Sequence, residues 1–389
     1  MHPAHALPSA DPVPGAAPGA ERRTAPVELL WDLVFVFAVT QVTALLAHRP
    51  TWPRLGEAML LLTLVWWAWS AFVWAANAQS EDSRSLRAFL LAATVLIFAV
   101  GLALPQAFGA EGVLFAVAYV LVRLLHLGLY VDASRRGKAA WSAIVGFAIT
   151  VLIGMALLLA GAVFLHTWGR GLVWSLAAAI DYSGPAWLTR KRLRGLQRVA
   201  VAHFAERYGS FVILCLGESI LAIGVGLGRP EGALTIGLVV GGGLALLIAI
   251  GLWWTYFDRF AERAQARLRD HPDPVLAAAD AYSYIHLIIV AGIIVFAGGV
   301  RLVIHDSVSA PMPSSGRFML CGGVAVYLLG LSGFRWRIAG EMGSARLLAA
   351  VILVALAAAG GAIPAWTIAA GCALIVGILC VTETRLEAD

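Results

Sequence analysis

Long apolar runs recur along almost the whole chain, and they constrain the fold more than any other feature of the sequence. Many reach the length of about 20 residues that an α-helix needs to cross the hydrocarbon core of a bilayer. Runs such as 143–160 lack the alternation typical of a β-barrel strand, so they predict helices. Only 13% of the 389 residues are charged, against about 25% in soluble domains. We therefore expect an all-α integral membrane protein.

About twelve membrane-spanning helices can be placed on these runs. They cover residues 27–47, 56–78, 86–107, 112–132, 140–165, 171–188, 204–227, 233–257, 278–303, 317–337, 342–360 and 363–382. Residues 1–25 are rich in Pro, Ala, Gly and His and predict a disordered cytoplasmic tail. The spans form two six-helix halves, 26–188 and 204–389, which a basic cytoplasmic loop at 189–203 connects.

The distribution of Lys and Arg predicts the orientation of the spans. If the N-terminus is cytoplasmic, 20 of the 28 Lys and Arg residues lie on the cytoplasmic side, and six lie outside. The six are Arg49, Arg54, Arg170, Arg229, Arg301 and Arg317. Because cytoplasmic loops are enriched in Lys and Arg, we expect both termini in the cytoplasm and the chain in the cytoplasmic membrane. The same asymmetry explains the net charge of +5, so membrane lipids and not nucleic acid are the expected partners.

Three pairs of segments in the same order indicate an internal duplication. The pairs are 28–41 with 206–219, 66–69 with 253–256, and 97–101 with 295–299. The first pair shares an initial Glu, and the second shares two Trp residues followed by a further aromatic residue. Two six-helix repeats would have the same orientation in the membrane. The alternative is chance similarity among apolar segments.

Ionisable side chains in spans cost about 2.5–3.5 kcal/mol each on insertion scales, so each needs an explanation. Glu28 lies in the first turn after Pro26, where helix capping accounts for it. Asp32 lies one turn deeper and predicts a cavity or a partner charge. Glu218 lies 12 residues beyond Glu206, a rise of about 18 Å that places it near the bilayer midplane. It is either a neutral, hydrogen-bonded residue or a site that handles a proton or cation.

Arg123 lies in the middle of the fourth span. His126 and Tyr130 follow it at helical spacing, so the three form one polar stripe. Because Arg does not readily lose its proton, Arg123 is expected to pair with a carboxylate. The candidates by depth are Asp32, Asp181 and Glu218.

The remaining polar candidates lie at span ends. His203, Glu206 and Arg207 open the seventh span, Asp258 ends the eighth, and His286, which taken alone is read as structural, opens the ninth. The outer half of the spans is almost free of charge, so the depths predict a polar vestibule that opens to the cytoplasm. The candidate site comprises Glu28, Asp32, Arg123, His126, Tyr130, Asp181, His203, Glu206, Arg207, Glu218, Asp258 and His286.

The cysteines give no sign of metal or disulfide chemistry. Cys215, Cys321, Cys372 and Cys380 all lie in apolar segments, with no CxxC pair and no His at ligand spacing. We expect small buried hydrophobic residues there, and neither a metal nor a cofactor is predicted.

Four segments resemble the bacterial low temperature requirement protein A family. They are 28–41, 203–220, 253–258 and 284–292, and the resemblance covers about residues 22–385. Trp31 and Tyr208 stand where that family has Phe. The resemblance implies a multi-pass bacterial membrane protein that is linked by name to growth in the cold, and it implies no established biochemical activity.

A transporter or channel-like protein for a small ion or proton is the first functional hypothesis, with Asp32, Arg123 and Glu218 at the core of its site. The alternative is a non-transporting membrane protein for cold or stress adaptation. A membrane enzyme that acts on lipid is least favoured, because the sequence has no HExxH, GxSxG, P-loop or GxGxxG motif in a suitable context. We therefore expect no enzymatic activity.

Overall fold

The computed structural model describes residues 24–48, 50–77, 84–136, 141–185, 200–227, 235–305 and 310–386. These residues form mainly α-helices. The helices are α1 (Pro26–His48), α2 (Trp52–Asn77), α3 (Arg84–Ala103), α4 (Gly112–Arg135), α5 (Trp141–Phe164), α6 (Thr167–Ser183), α7 (Val201–Leu227), α8 (Ile236–Phe257), α9 (Phe260–Arg269), α10 (Pro274–Ala278), α11 (His286–His305), α12 (Ser314–Arg317), α13 (Gly323–Ala339), α14 (Ser344–Ala359) and α15 (Ala365–Leu386). The π-helical segments Ala279–Ile285 and Phe318–Gly322 continue α10 into α11 and α12 into α13.

Local sequence signals set several helix ends. Pro26 begins α1, where its missing N–H leaves no hydrogen bond unmade. Asp273 caps α10, because its side chain accepts the backbone N–H of Leu276 at 3.2 Å. Gly340 follows α13 with a φ of 72°, a left-handed conformation that glycine adopts without steric cost.

Eleven helices in the described part of the chain are long and apolar enough to cross a membrane. This confirms the prediction of an all-α integral membrane protein. The span predicted at 171–188 corresponds to α6, which has 17 residues and begins at Thr167. At about 1.5 Å per residue its length is about 25 Å, somewhat less than the hydrocarbon thickness of about 30 Å. The short helix α9 was not predicted.

Parts of the predicted tail and loop lie outside the described residues. These parts are 1–23 of the tail and 189–199 of the basic loop, together with 186–188 at the end of the predicted sixth span.

The bundle has two ends, which we name by the direction of α1. The proximal end is the one at which α1 begins, and the distal end is the one at which α1 ends and α2 begins. α7 begins at the proximal end, because His203 contacts Glu28. α6 begins at the distal end, because Arg170 contacts Ala107 in the turn after α3.

The centre of the bundle is formed around α1, which packs against α2, α3, α7 and α11. The most deeply buried spans are α2 and the continuous helices 274–304 and 314–339, whereas α14 and α15 expose much of their surface. Aromatic residues fill this centre, and Trp31, Trp66, Trp69 and Tyr208 are each at most 1% exposed. The buried candidate residues, among them Asp32 and Arg207, are therefore surrounded by packed helices.

The two halves pack in the same order. In the first half α1 packs on α3, and α3 to α6 pack in sequence; in the second half α7 packs on α11, which is followed by α13, α14 and α15. Thr40 and Glu218 are equivalent positions in the segment pair 28–41 and 206–219, and their side chains are hydrogen-bonded. A contact between equivalent positions of two symmetric repeats lies on their axis. The duplication itself stays a prediction.

Candidate functional site

Four predicted residues from α1 and α7 meet in one buried group near the proximal end, the Arg207 cluster. Arg207 contacts both carboxylates, with Nη2 2.7 Å from Asp32 Oδ1 and Nη1 3.3 Å from Glu28 Oε1. His203 Nε2 lies 3.2 Å from Glu28 Oε2. All four side chains are at most 1% exposed, so each charge depends on its partner inside the bundle. Trp69 Nε1 also donates to Asp32, at 2.7 Å.

Glu28 has two roles in this cluster. Its Oε2 accepts the backbone N–H of Ala25 at 2.9 Å, which is the capping interaction that the sequence predicts. Its ion pair with Arg207 goes beyond capping and fixes the start of α7 against the start of α1.

Arg123 pairs with Asp181, one of the three carboxylates that the sequence offered. The distance from Nη2 to Oδ1 is 2.7 Å, and the two side chains are 2% and 1% exposed. His126 Nδ1 lies 3.5 Å from Arg123 Nη1. The predicted carboxylate partner of Arg123 is therefore confirmed, and α6 supplies it.

A cavity of about 80 Å³, here called the Arg123 cavity, lies beside this ion pair. Its polar lining includes Arg123, His126, Tyr130 and Asp181, and the apolar lining includes Trp67 and Phe147 among others. A cavity needs only about 10–15 Å³ of this volume to hold one water molecule, so this one has room for several waters or a small solute. The ion pair thus faces a space and is not packed on every side.

A chain of hydroxyl groups extends from the cavity into the bundle. Ser70 and Ser283 both line the cavity. The hydroxyl of Ser70 donates to Ser283 Oγ at 3.1 Å and lies 2.7 Å from that of Tyr208. Trp74 Nε1 donates to Ser283 Oγ at 2.7 Å, and Trp66 Nε1 donates to the Ser283 carbonyl at 2.7 Å. Ser283 lies in a π-helical segment, a feature often found at functional sites.

Glu218 belongs to a third, separate ion pair. It is 0% exposed, and its Oε1 accepts from Arg301 Nη2 at 2.8 Å, while its Oε2 accepts from Thr40 Oγ1 at 2.6 Å. Because Glu218 lies 17 residues after Val201, about 25 Å along α7, the pair is in the distal half. This corrects two expectations. The distal half is not nearly free of charge, and Asp32, Arg123 and Glu218 pair with three different partners.

The other predicted residues divide into buried and exposed positions. Tyr130 is 8% exposed and lies edge-on to His126, with ring centroids 5.0 Å apart. His286 is 0% exposed, and its Nε2 lies 3.0 Å from the Tyr256 hydroxyl, in agreement with the structural interpretation. Glu206 and Asp258 are exposed, so they are not part of the buried clusters.

Several residues of the site were not predicted. They are Trp67, Trp69, Ser70, Trp74, Ser283, Tyr284 and Arg301. Trp66, Trp67 and Trp69 of α2 were noticed only as a repeat signal. For Trp66 and Trp69, a position in the middle of a span, far from the interfaces that Trp prefers, was the sign that their N–H groups have buried partners.

The described residues hold no cluster of three His, Cys, Asp or Glu side chains that could bind a metal ion. The cysteines have free thiols, and Cys215, Cys321 and Cys372 are buried. The chemistry that the site offers is therefore that of ion pairs, hydroxyl groups and aromatic rings beside a small cavity.

Comparisons with known proteins agree with this architecture. The family model described as "Bacterial low temperature requirement A protein (LtrA)" matches residues 23–381. A protein of Rhizobium meliloti (strain 1021) with the printed name "Uncharacterized protein RA0937" is 32% identical over 286 residues, which cover 70% of this chain and 67% of that protein. A match over nearly the whole chain establishes the family, so this multi-pass membrane protein belongs to the bacterial low temperature requirement A family.

Proposed function

We propose that the chain is a transporter or channel-like protein, and that the Arg123 cavity is the place where its substrate binds. The observation that carries this proposal is the buried Arg123–Asp181 pair beside a cavity. Ionisable residues inside spans that face a cavity are typical of ion and proton pathways. A purely structural ion pair would not need an adjacent space of about 80 Å³.

The lining favours a small ion or a proton as the substrate. The cavity is small, and its charged groups, Arg123 and Asp181, neutralise each other. A bound cation would compete with Arg123 for Asp181, and a bound anion would compete with Asp181 for Arg123. The hydroxyl groups of Ser70 and Ser283, together with water, offer a route for a proton toward Tyr208. No enzymatic step is proposed.

The orientation is part of the proposal. The 20-to-6 distribution of Lys and Arg supports a cytoplasmic proximal end, with both termini in the cytoplasm of a bacterial cell and the chain in its cytoplasmic membrane. The Arg123 cavity would then face the cytoplasm, and the Glu218–Arg301 pair would lie toward the outside.

A specific observation favours the second candidate, a non-transporting protein for cold or stress adaptation. Arg170 and Arg317 are also buried, and their hydrogen-bond partners among the described residues are backbone carbonyls, which supports a structural role for some buried charges of this chain. An experiment must therefore change the cavity without changing the charges.

A substitution that fills the cavity changes the cavity without changing the charges. Ala71 lines the Arg123 cavity, and Ala71→Leu adds apolar volume there while every ion pair is kept. The full chain would be reconstituted into liposomes, and fluxes of protons and of a panel of small cations and anions would be followed. We expect the wild type to carry one of them, Ala71→Leu to lose at least tenfold in rate, and Ala71→Ser, the matched control, to retain the rate.

Two outcomes would contradict the proposal. One is wild-type liposomes that carry no ion of the panel faster than empty liposomes. The other is an Ala71→Leu variant that elutes as a folded species and transports at the wild-type rate. Asp181→Asn gives a second measurement, because Asn keeps an acceptor for Arg123 but removes the charge.

A further inference from the structure

A second pocket, here called the arginine pocket, lies at the proximal end, away from the Arg123 cavity. Its volume is about 300 Å³. Four arginines from three helices line it, namely Arg263 and Arg267 of α9, Arg335 of α13 and Arg346 of α14. Such a concentration of guanidinium groups is a typical site for a phosphate or carboxylate group.

Arg346 is the buried arginine of this pocket. Its side chain is 4% exposed, and its Nε and Nη2 donate to the two carboxylate oxygens of Glu383 at 2.6 and 3.0 Å. Its Cζ lies over the Phe260 ring, 5.3 Å from the centroid. Its Nη1 is buried and has no hydrogen-bond partner among the described residues. A buried donor of this kind is costly unless something accepts from it.

The charges of the pocket do not balance. Apart from Arg263, the pocket has three arginines, Arg267, Arg335 and Arg346, against the two carboxylates Glu341 and Glu383, a net of +1. Glu341 accepts from Arg335 Nη2 at 2.7 Å, and both side chains are partly exposed. An anion that entered the pocket would therefore be attracted by the remaining positive charge, to which the buried guanidinium of Arg346 contributes.

The position of the pocket indicates where that anion comes from. α9 follows directly after the end of α8 and buries Ala264 and Leu268, while its arginines are exposed. A short basic amphipathic helix at the end of a span lies at the level of the lipid headgroups. α13 ends and α14 begins at the same level. The opening is thus in the headgroup layer.

We infer that the arginine pocket binds a phosphate group, and that the source is the headgroup of an anionic phospholipid. The guanidinium groups of Arg267 and Arg335 would hold the phosphate oxygens from the surface, and the buried Arg346, whose Nη1 has no acceptor among the described residues, would add its positive charge from below. Free inorganic phosphate has the same chemistry, so the test must separate the two sources.

The test measures the thermal stability of the purified full chain in a neutral detergent. The probes are mixed micelles with dihexanoyl phosphatidylglycerol, mixed micelles with dihexanoyl phosphatidylcholine, and inorganic phosphate. The variants are Arg267→Gln and Arg335→Gln, and the matched control is Arg269→Gln, an exposed arginine on the same helix that does not line the pocket. We expect phosphatidylglycerol to raise the Tm at concentrations at which phosphatidylcholine does not. Each pocket variant should need about fivefold more of it, the equivalent of about 1 kcal/mol per arginine near an anionic surface.

Each outcome decides the question. Stabilisation by phosphatidylglycerol alone that is weakened only in the pocket variants supports the lipid headgroup. Equal stabilisation by inorganic phosphate, with the same dependence on the variants, supports the phosphate site and assigns it to the free ion. Equal effects of the two lipids, or an Arg269→Gln variant that behaves like Arg267→Gln, would overturn the inference, because a general surface charge would then explain the result.

Discussion

Buried arginines have different kinds of partner at the two ends of the bundle. At the distal end Arg170 and Arg317 donate to main-chain carbonyls. Arg170 binds those of Ala107, Gly109, Ala162 and Leu165, and Arg317 binds those of Met312 and Ala357. In the other half, toward the proximal end, Arg123 and Arg207 pair with buried carboxylates.

The difference teaches which buried charges belong to the scaffold. Several of the distal carbonyls lie at the ends of α5 and α14, where the last carbonyls of a helix have no partner and the helix dipole attracts a cation. An arginine there donates hydrogen bonds to these carbonyls and so caps the helix end. A carboxylate partner, in contrast, can exchange its arginine for another cation or a proton. Under the proposed function, we therefore expect the partner of a buried arginine, and not its burial, to indicate whether it can take part in transport.

The largest effect is expected at the Arg207 cluster. Arg207→Gln leaves Glu28 and Asp32 buried without their cation, and loss of one partner of a buried pair costs about 3–5 kcal/mol. Thermal unfolding in detergent measures this loss. Glu206→Gln is the control, because the neighbouring Glu206 is exposed and should tolerate the change. Equal stability of Arg207→Gln and Glu206→Gln would contradict the difference between the two ends of the bundle.

A smaller effect is expected at Arg170. Arg170→Gln removes charge-assisted hydrogen bonds to carbonyls, and a loss of about 1.5–3 kcal/mol should follow. Arg170→Lys keeps the charge but not the forked geometry of the guanidinium group, so its stability should lie between that of the wild type and that of Arg170→Gln. Ion flux of the folded variants should equal that of the wild type. A specific loss of flux would place Arg170 in the transport pathway. It would contradict the distinction between arginines that bind carbonyls and arginines that pair with carboxylates.

Glu218 should give the smallest change in stability and sharpen the comparison. Glu218→Gln keeps an acceptor for Arg301, whose side chain is 18% exposed and so not fully buried, and a loss of about 1 kcal/mol is expected. Thr40→Val removes the other contact of Glu218 without a change of charge. The two variants are compared by thermal unfolding and by the pH dependence of flux. If only Glu218→Gln alters the pH dependence, this distal pair handles a proton.

The helices and their order were predictable, because bilayer thickness and backbone hydrogen bonding leave few alternatives to apolar helices of this length. Depth along each span was predictable too, and it limited the partners of Arg123 to three carboxylates. The choice of Asp181 was not, since it depends on which helices are neighbours. A single sequence gives the face of a helix but not the helix that the face contacts.

The same limit explains the errors at the distal end. Arg170, Arg301 and Arg317 lie close to the ends of helices, where a sequence analysis counts them as solvated topology signals. In the fold Arg170 and Arg317 are at most 9% exposed, and Arg301 turns inward to Glu218. Long side chains reach several ångströms from their Cα atoms, so the depth of a residue does not fix the depth of its charge.

Glycines make α11 and α13 a single mechanical unit. A Cβ at Gly292 would overlap the backbone of Tyr327, and one at Gly323 would overlap the backbone of Phe296. Main chains in such close contact cannot slide past each other, as in membrane helix pairs with small residues at the crossing. Any rocking of this bundle would therefore occur at other interfaces, and Ser283, just before α11, would move together with this helix pair.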